Sequence, residues 1–307
     1  MTELQPYGTG GAVESAIRDA ARAAATPDRD TSRLIREAYF DRFLCRVFAY
    51  GSDAFVLKGG TGMLARIPTA RSTMDIDLAA SERSIEAATA ALIAAAAIDL
   101  GDHFRFVHRD TAPVLEGDGQ PYTDGVRVRF DTYVGVGRKG GVSIDLVLGH
   151  TPTTAPVRMA PANRLPVARL LVNDYRLYPV VDQIADKVCA SETTYGTAGN
   201  PSTRVKDLVD LVLLARTETI DGTALTAAIA AERRRRQLPD RTTFTPPAAF
   251  GRQWQTEAAK GNLPPELDLA AAVILVSHFL EPAFTEAVTG QTWHPEHQRW
   301  RALKSQA

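Results

Sequence analysis

Asp75-Ile76-Asp77 is the triplet in this chain best suited to chemistry. On a strand, side chains at i and i+2 point to one face. The two carboxylates then stand side by side, while Ile76 and Leu78 turn to the core. Two like charges this close disfavour each other's ionisation unless a cation joins them. A hard divalent ion such as Mg2+ does so, because it takes carboxylate oxygens and keeps positions for phosphate. Upstream, Lys58-Gly59-Gly60-Thr61-Gly62 follows the apolar run Phe55-Val56-Leu57. Glycines at a strand-to-helix turn let backbone N–H groups approach a triphosphate, and Lys58 adds a cation. Each feature has a plainer alternative: acids at a solvent-facing strand end, and glycine serving a tight turn.

A third acid, Asp145, interrupts the apolar run Val142-Ser143-Ile144-Asp145-Leu146-Val147. A charge there is costly unless it is paired or binds metal. Asp131, after Val128-Arg129-Phe130, is its rival for the same role. The second half carries Asp182-Gln183-Ile184-Ala185-Asp186-Lys187 and Arg204-Val205-Lys206-Asp207-Leu208-Val209-Asp210-Leu211. On a helix, Asp207 and Asp210 share a face. The plainer alternative is a pair of amphipathic helices with solvated charges. Arg127, Arg129, Arg138, Lys139 and the run 233–236 are candidate phosphate contacts. The run also reads as a solvated helix end favoured by the macrodipole. Ser72 and Thr73, just ahead of the acids, fit turn chemistry. His103, His108, His294 and His297 fit packing or surface roles, and Trp293 and Trp300 a docking helix.

Elements must position these residues. Apolar spacing predicts a helix over 32–50, with Ser32 as N-cap and Gly51 after its end. A strand at 55–57 is followed by the glycine turn and a short helix at 63–65. A strand at 75–78 leads to a helix capped at Ser81 that runs to about 98. Strands follow at 104–107, 126–134 and 142–148. A Pro- and Thr-rich linker at 151–156 precedes helices at 179–191, 204–216, 222–236, 246–260 and 267–284. The expected division is a loosely held segment 1–30, a core 31–155 and a helical domain 156–307. The class is α+β.

At 307 residues the chain is long enough for two domains. Its net charge of −1 makes no global case for nucleic acid. Two cysteines, Cys45 and Cys189, cannot build a disulfide framework or a cysteine-rich zinc site. The longest apolar run, 87–98, is too short to span a membrane. The opening residues carry no secretory pattern, so a cytoplasmic location with no membrane partner is expected.

Strand, Gly-Gly turn, DxD strand and later acid resemble the DNA-polymerase-β-like nucleotidyltransferase superfamily. There, two metals held by three carboxylates activate a hydroxyl and stabilise the leaving pyrophosphate. A closer resemblance is to AbiEii-type toxins, including their mycobacterial MenT-type branch. It rests on Lys58-Gly59-Gly60, Arg71-Ser72-Thr73-Met74-Asp75-Ile76-Asp77, Lys187 and Lys206-Asp207-Leu208-Val209-Asp210-Leu211. It departs where Lys206 stands for the family's Arg or His, with Arg204 as a replacement, and where Asp182 stands for a glutamate.

The resemblance implies a nucleotidyltransferase core with a mainly helical C-terminal domain. It implies a toxin that adds nucleotides, pyrimidines and CTP foremost, to the 3′ end of tRNA with Mg2+. Partners would be the tRNA acceptor end, a nucleoside triphosphate and a cognate antitoxin. Asp75, Asp77, Lys187, Asp207 and Asp210 would be catalytic. Lys58, Gly59, Gly60, Arg71 and Lys187 would bind nucleotide. Asp75 and Asp77 would hold metal, with Asp145 the superfamily's third ligand. Thr73 or Ser72 would be a site of regulatory phosphorylation. Transfer to a protein or small molecule, or nucleotide or RNA binding without catalysis, remain the alternatives.

Overall fold

The computed structural model describes residues 5–51, 53–113, 125–148, 151–194 and 199–302. The chain divides into two compact units. The first takes Met1–Pro68, Ser72–His150 and Pro156–Leu177, and the second Thr69–Arg71, Thr151–Ala155 and Tyr178–Ala307. Contact thus assigns 156–177 to the first unit, where the sequence placed it with the helices.

Two helices open the first unit. In α1 (Gly10–Ala24), Thr9 caps the first turn, and Val13, Ile17 and Ala21 recur every fourth residue and are buried. This part of the expected loose segment 1–30 is therefore a docked helix. In α2 (Thr31–Tyr50), the cap is Asp30, which accepts from Arg33 N–H. The remaining elements are β1 (Phe55–Lys58), α3 (Gly59–Arg66), β2 (Ile76–Ala80), α4 (Ile85–Ala96), β3 (Phe104–Pro113), β4 (Gly125–Val134), β5 (Gly137–Val147), β6 (Val157–Met159) and β7 (Tyr175–Leu177). Strand order is β3-β4-β5-β2-β1-β7-β6. β2 runs parallel to β5 and antiparallel to β1.

Ser84, not Ser81, caps α4, accepting from Ala87 N–H, while the Ser81 hydroxyl donates to the Asp53 carbonyl. Helix α3 starts at Gly59 rather than Met63, so the glycine turn is its first turn. The short strands β6 and β7 left no periodic signal.

Apolar periodicity also missed that α2 buries charge. Arg42 and Arg46 are fully buried, one turn apart, and converge on buried Asp102. Arg42 Nε lies 2.8 Å from Asp102 Oδ2, Arg46 Nη1 lies 3.0 Å from the same oxygen, and Arg46 Nη2 pairs with Oδ1. Burial opposes the Asp102 charge, but the arginines outweigh it and hold the carboxyl below its usual range.

The second unit holds α5 (Val180–Glu192), α6 (Val205–Thr217), β8 (Ile220–Asp221), α7 (Gly222–Arg235), α8 (Trp254–Lys260), α9 (Leu269–Phe284), β9 (Gln291–His294) and β10 (Arg299–Ala302). It is mainly helical, with a small antiparallel sheet ordered β10-β9-β8. The expected helix 246–260 is split into a 3-10 turn, Ala248–Arg252, and α8. The tail is a hairpin, not a docking helix. Trp293 is buried, donates to the Ala215 carbonyl at 2.7 Å, and packs with Phe279 and Trp300.

The arginine run at the end of α7 turns largely inward. Arg233 pairs with Glu192, and Arg236 pairs with Asp186 and Glu232; both arginines are buried. Arg235 pairs with Glu232, leaving Arg234 the exposed member. Buried ion pairs, not a solvated helix end, account for most of the run. No described helix is long and apolar enough to cross a membrane.

Replacing Asp102 with Ala strands two buried guanidiniums. Breaking such a network costs ~3–5 kcal/mol. Urea denaturation should show that loss; one under ~1 kcal/mol would exclude a structural role for the triad.

Candidate functional site

In the first unit, the expected residues lie on one rung of the sheet. Lys58 on β1 stands opposite Asp77 on β2. Asp77 is in register with Asp145 on β5, which stands opposite Arg127 on β4. The rung reads cation, carboxylate, carboxylate, cation. Its neighbours along the strands, Leu57, Ile76, Leu78, Ile144, Leu146 and Val128, are all buried. A one-residue slip would turn the charges into the core, so burial sets the register.

The glycines shape this corner. Gly59 has φ +56°, and a β-carbon there would overlap the Asp77 carboxylate. A β-carbon on Gly60 would lie 2.9 Å from Thr73 Cβ. Helix α3 has no side-chain cap, and the Gly60 N–H donates to Asp77. The Thr61 hydroxyl donates to the Asp75 carbonyl at 2.8 Å, and the Thr73 hydroxyl to Asp75 Oδ1 at 2.7 Å. Arg36 donates to the Ser72 hydroxyl at 3.1 Å. The Thr73 hydroxyl, expected to shape the turn or to be phosphorylated, thus orients the first carboxylate.

Asp77 is half-buried. Burial, then Asp75 and Asp145, push its carboxyl up to about 6, against Lys58 and the Gly60 amide. A divalent cation would relieve this repulsion, and Asp75 and Asp77 fit one by donor chemistry. Asp145, in register with Asp77, is paired across the sheet. Arg127 donates to both its oxygens, Nε at 2.6 Å and Nη2 at 2.8 Å. Asp131, the rival, pairs with Arg138 at 2.7 Å. Among the described residues, no group of three or more His, Cys, Asp or Glu side chains is arranged to hold a metal ion. Arg129 and Lys139 are likewise engaged, with Asp110 and Glu14, so this strand and turn present paired rather than spare cations.

The second unit gathers the other expected residues. Lys187 on α5 is buried, its Nζ 2.6 Å from Asp210 Oδ2 and 3.2 Å from Asp207 Oδ1, both on α6. Arg204 pairs with Asp207, and Arg71 with Asp210 at 3.2 Å. The acids do share a face, but it is a buried one. Arg204, the expected replacement for the family's cation, is the residue that reaches Asp207, while Lys206 is exposed. Three cations and two carboxylates thus meet in this cluster. Asp210 Oδ1 is buried with no hydrogen-bond partner among the described residues. Burial opposes the Asp207 charge; Lys187 and Arg204 outweigh it and hold the carboxyl down at about 2. Burial likewise opposes the Lys187 charge, and Asp210 and Asp207 outweigh it, raising its pKa. Asp182 accepts from the N–H and hydroxyl of Thr153, at 2.8 and 2.9 Å, and so ties down the segment after β5.

The fold is thus α+β, with a carboxylate pair beside a glycine-opened helix in the first unit and a buried lysine–aspartate cluster in the second. The model for the nucleotidyl transferase AbiEii toxin of a type IV toxin–antitoxin system matches residues 42–302, and the chain belongs to that family. Two Helicobacter pylori crystal structures resemble it. One protein, assigned as a nucleotidyltransferase, is 15% identical, with a TM-score of 0.45 over 83% of this chain and 97% of that one. The other, JHP933, is 14% identical, with a TM-score of 0.41 over 83% and 94%. No curated relative matches significantly. Membership rests on the match over 42–302, not on the structural resemblances.

Gly59→Ala forces a left-handed residue against Asp77 and should cost at least ~1–3 kcal/mol. Gly62→Ala, whose β-carbon would lie 3.4 Å from the Leu57 carbonyl, should stay within ~1 kcal/mol of wild type. Urea midpoints compare them; equal losses would sink the clash argument. Asp207, depressed when folded, contributes stability that is complete above its unfolded pKa and lost as pH falls through the folded one. The advantage of wild type over Asp207→Asn should be full above about pH 4 and fade towards about pH 2. An advantage that persists at pH 2 would contradict the pairing.

Proposed function

We propose that this member of the AbiEii nucleotidyltransferase family acts in the cytoplasm as the toxin of a toxin–antitoxin pair. It adds nucleotides, with pyrimidines and CTP foremost, to the 3′ end of tRNA, and so blocks aminoacylation. The observation that carries the reading is the Asp75–Asp77 pair, set beside the glycine-opened start of α3. Pure nucleotide binding has no use for two carboxylates facing an anionic ligand.

The family generally uses a divalent metal with its nucleoside triphosphate. Mg2+ on Asp75 and Asp77 would supply charge neutralisation for the triphosphate and acidify the attacking hydroxyl. In transfer, the tRNA 3′ oxygen bonds to the α-phosphorus and the bond from that phosphorus to its bridging oxygen breaks. Pyrophosphate leaves, and the hydroxyl proton passes to solvent. Such transfer needs positioning and charge neutralisation more than covalent chemistry. Lys58, the amides of Gly59 and Gly60, Arg71 and Lys187 are the proposed nucleotide contacts, and Asp207 and Asp210 complete the polar set. The cognate antitoxin acts on Thr73, or less directly on Ser72. A phosphate on Thr73 would remove the donor that orients Asp75 and set two negative charges beside the pair.

The test is transfer of label from each of four α-labelled NTPs, with Mg2+, onto total tRNA, with Asp75→Ala alongside. Label on tRNA that falls at least ~100-fold in the variant, CTP foremost, is the expected result. Label on protein or small molecules instead would overturn the acceptor. No label anywhere, with growth inhibition unaffected by Asp75→Ala, would favour a binding module. Intact mass after coexpression with the antitoxin should rise by one phosphate; suppressed activity at unchanged mass would exclude phosphorylation.

A further inference from the structure

The pairing of Arg127 with Asp145 bears on how many cations this site takes. The pair follows from register and not from a chance rotamer, because the two residues are directly opposed on antiparallel β4 and β5. The guanidinium is a planar fork, stays charged at any accessible pH, and matches both carboxylate oxygens at 2.6 and 2.8 Å. Both oxygens of Asp145 are therefore already occupied by a charged donor. A cation bridging Asp77 and Asp145 would have to displace a bonded guanidinium and then sit beside its charge.

Asp75 and Asp77 stand differently. Asp75 accepts from a neutral hydroxyl, Thr73, which leaves carboxylate capacity for a cation. Asp77 accepts from the Gly60 amide and faces Lys58 across the strand pair. The described residues offer no three-carboxylate group arranged for metal.

We propose that Arg127 stands in for a second cation. The chain takes one divalent ion, on Asp75 and Asp77, and Asp145 is a positioning residue that anchors the Arg127 guanidinium as fixed positive charge on the same rung. This rests on the nucleotidyl-transfer reading and departs from the two-metal, three-carboxylate scheme of the wider superfamily.

The test counts Mn2+ ions on the full chain saturated with α,β-methylene-CTP, by electron paramagnetic resonance of the chain–nucleotide complex. Wild type should retain one ion. Asp145→Asn should also retain one, with affinity within about threefold, whereas Asp77→Asn should lose at least ~10-fold in affinity. Arg127→Gln should gain a second ion or bind at least ~10-fold more tightly, because Asp145 becomes available. Two ions on wild type, or loss of an ion in Asp145→Asn, would overturn the proposal, as would Arg127→Gln behaving like wild type. Label transfer on the same preparations separates the two readings. Transfer with two ions overturns the one-cation proposal alone; one ion without transfer overturns the function alone; neither ion nor transfer overturns both.

Discussion

The parallel pairing of β2 with β5 sets Asp77 beside Asp145, and much of the first unit holds that pairing against the repulsion it creates. The apolar residues alternating with the acids supply the force. Ile76 and Leu78 on one strand, and Ile144 and Leu146 on the other, are wholly buried, and a one-residue slip would turn them out of the core. The ends of the rung then temper the charge. Lys58 faces Asp77, and Arg127 takes both oxygens of Asp145. What is left unneutralised is concentrated on Asp75 and Asp77, where binding chemistry would use it.

The same economy of charge recurs elsewhere. Buried ions are expensive unless their partners are complete. Arg42, Arg46 and Asp102 inside the first unit, and the arginines of α7 inside the second, are paired with acids at hydrogen-bond distance, while Arg42 Nη2, Arg46 Nε and Arg233 Nε have no hydrogen-bond partner among the described residues. Around Lys187, the Asp207 and Asp210 carboxylates meet Lys187, Arg204 and Arg71, and one Asp210 oxygen lacks a hydrogen-bond partner among the described residues.

Small groups complete the arrangement. Gly59 and Gly60 leave room for Asp77 and Thr73 that any β-carbon would take. Thr61 and Thr73 then fix Asp75 through its carbonyl and carboxylate. The Thr73 hydroxyl is thus both an orienting donor and the point where added negative charge would do most to the pair.

Local pattern was enough to place the strand of Ile76-Asp77-Leu78, though it begins one residue after Asp75, the glycine turn that opens α3, the Asp207–Asp210 face and most helices of the second unit. Each depends on residues within one or two turns or strand periods of one another. It also carried the family resemblance, since those motifs are contiguous. The partner of each charge was beyond its reach. Arg127 lies 18 residues from Asp145, Asp102 lies 56 from Arg46, and Arg71 lies 139 from Asp210. Alternating VRVRF announced a half-exposed strand but not which acid it would face. The tail hairpin and the docking of α1 were missed because their apolar residues are sparse and find each other only through the packed core. The sequence alone determined which residues could do chemistry, because side-chain type and short spacing are local. Only the tertiary structure decided which of them are available for it, because charge is neutralised across strands and helices that the chain brings together from a distance.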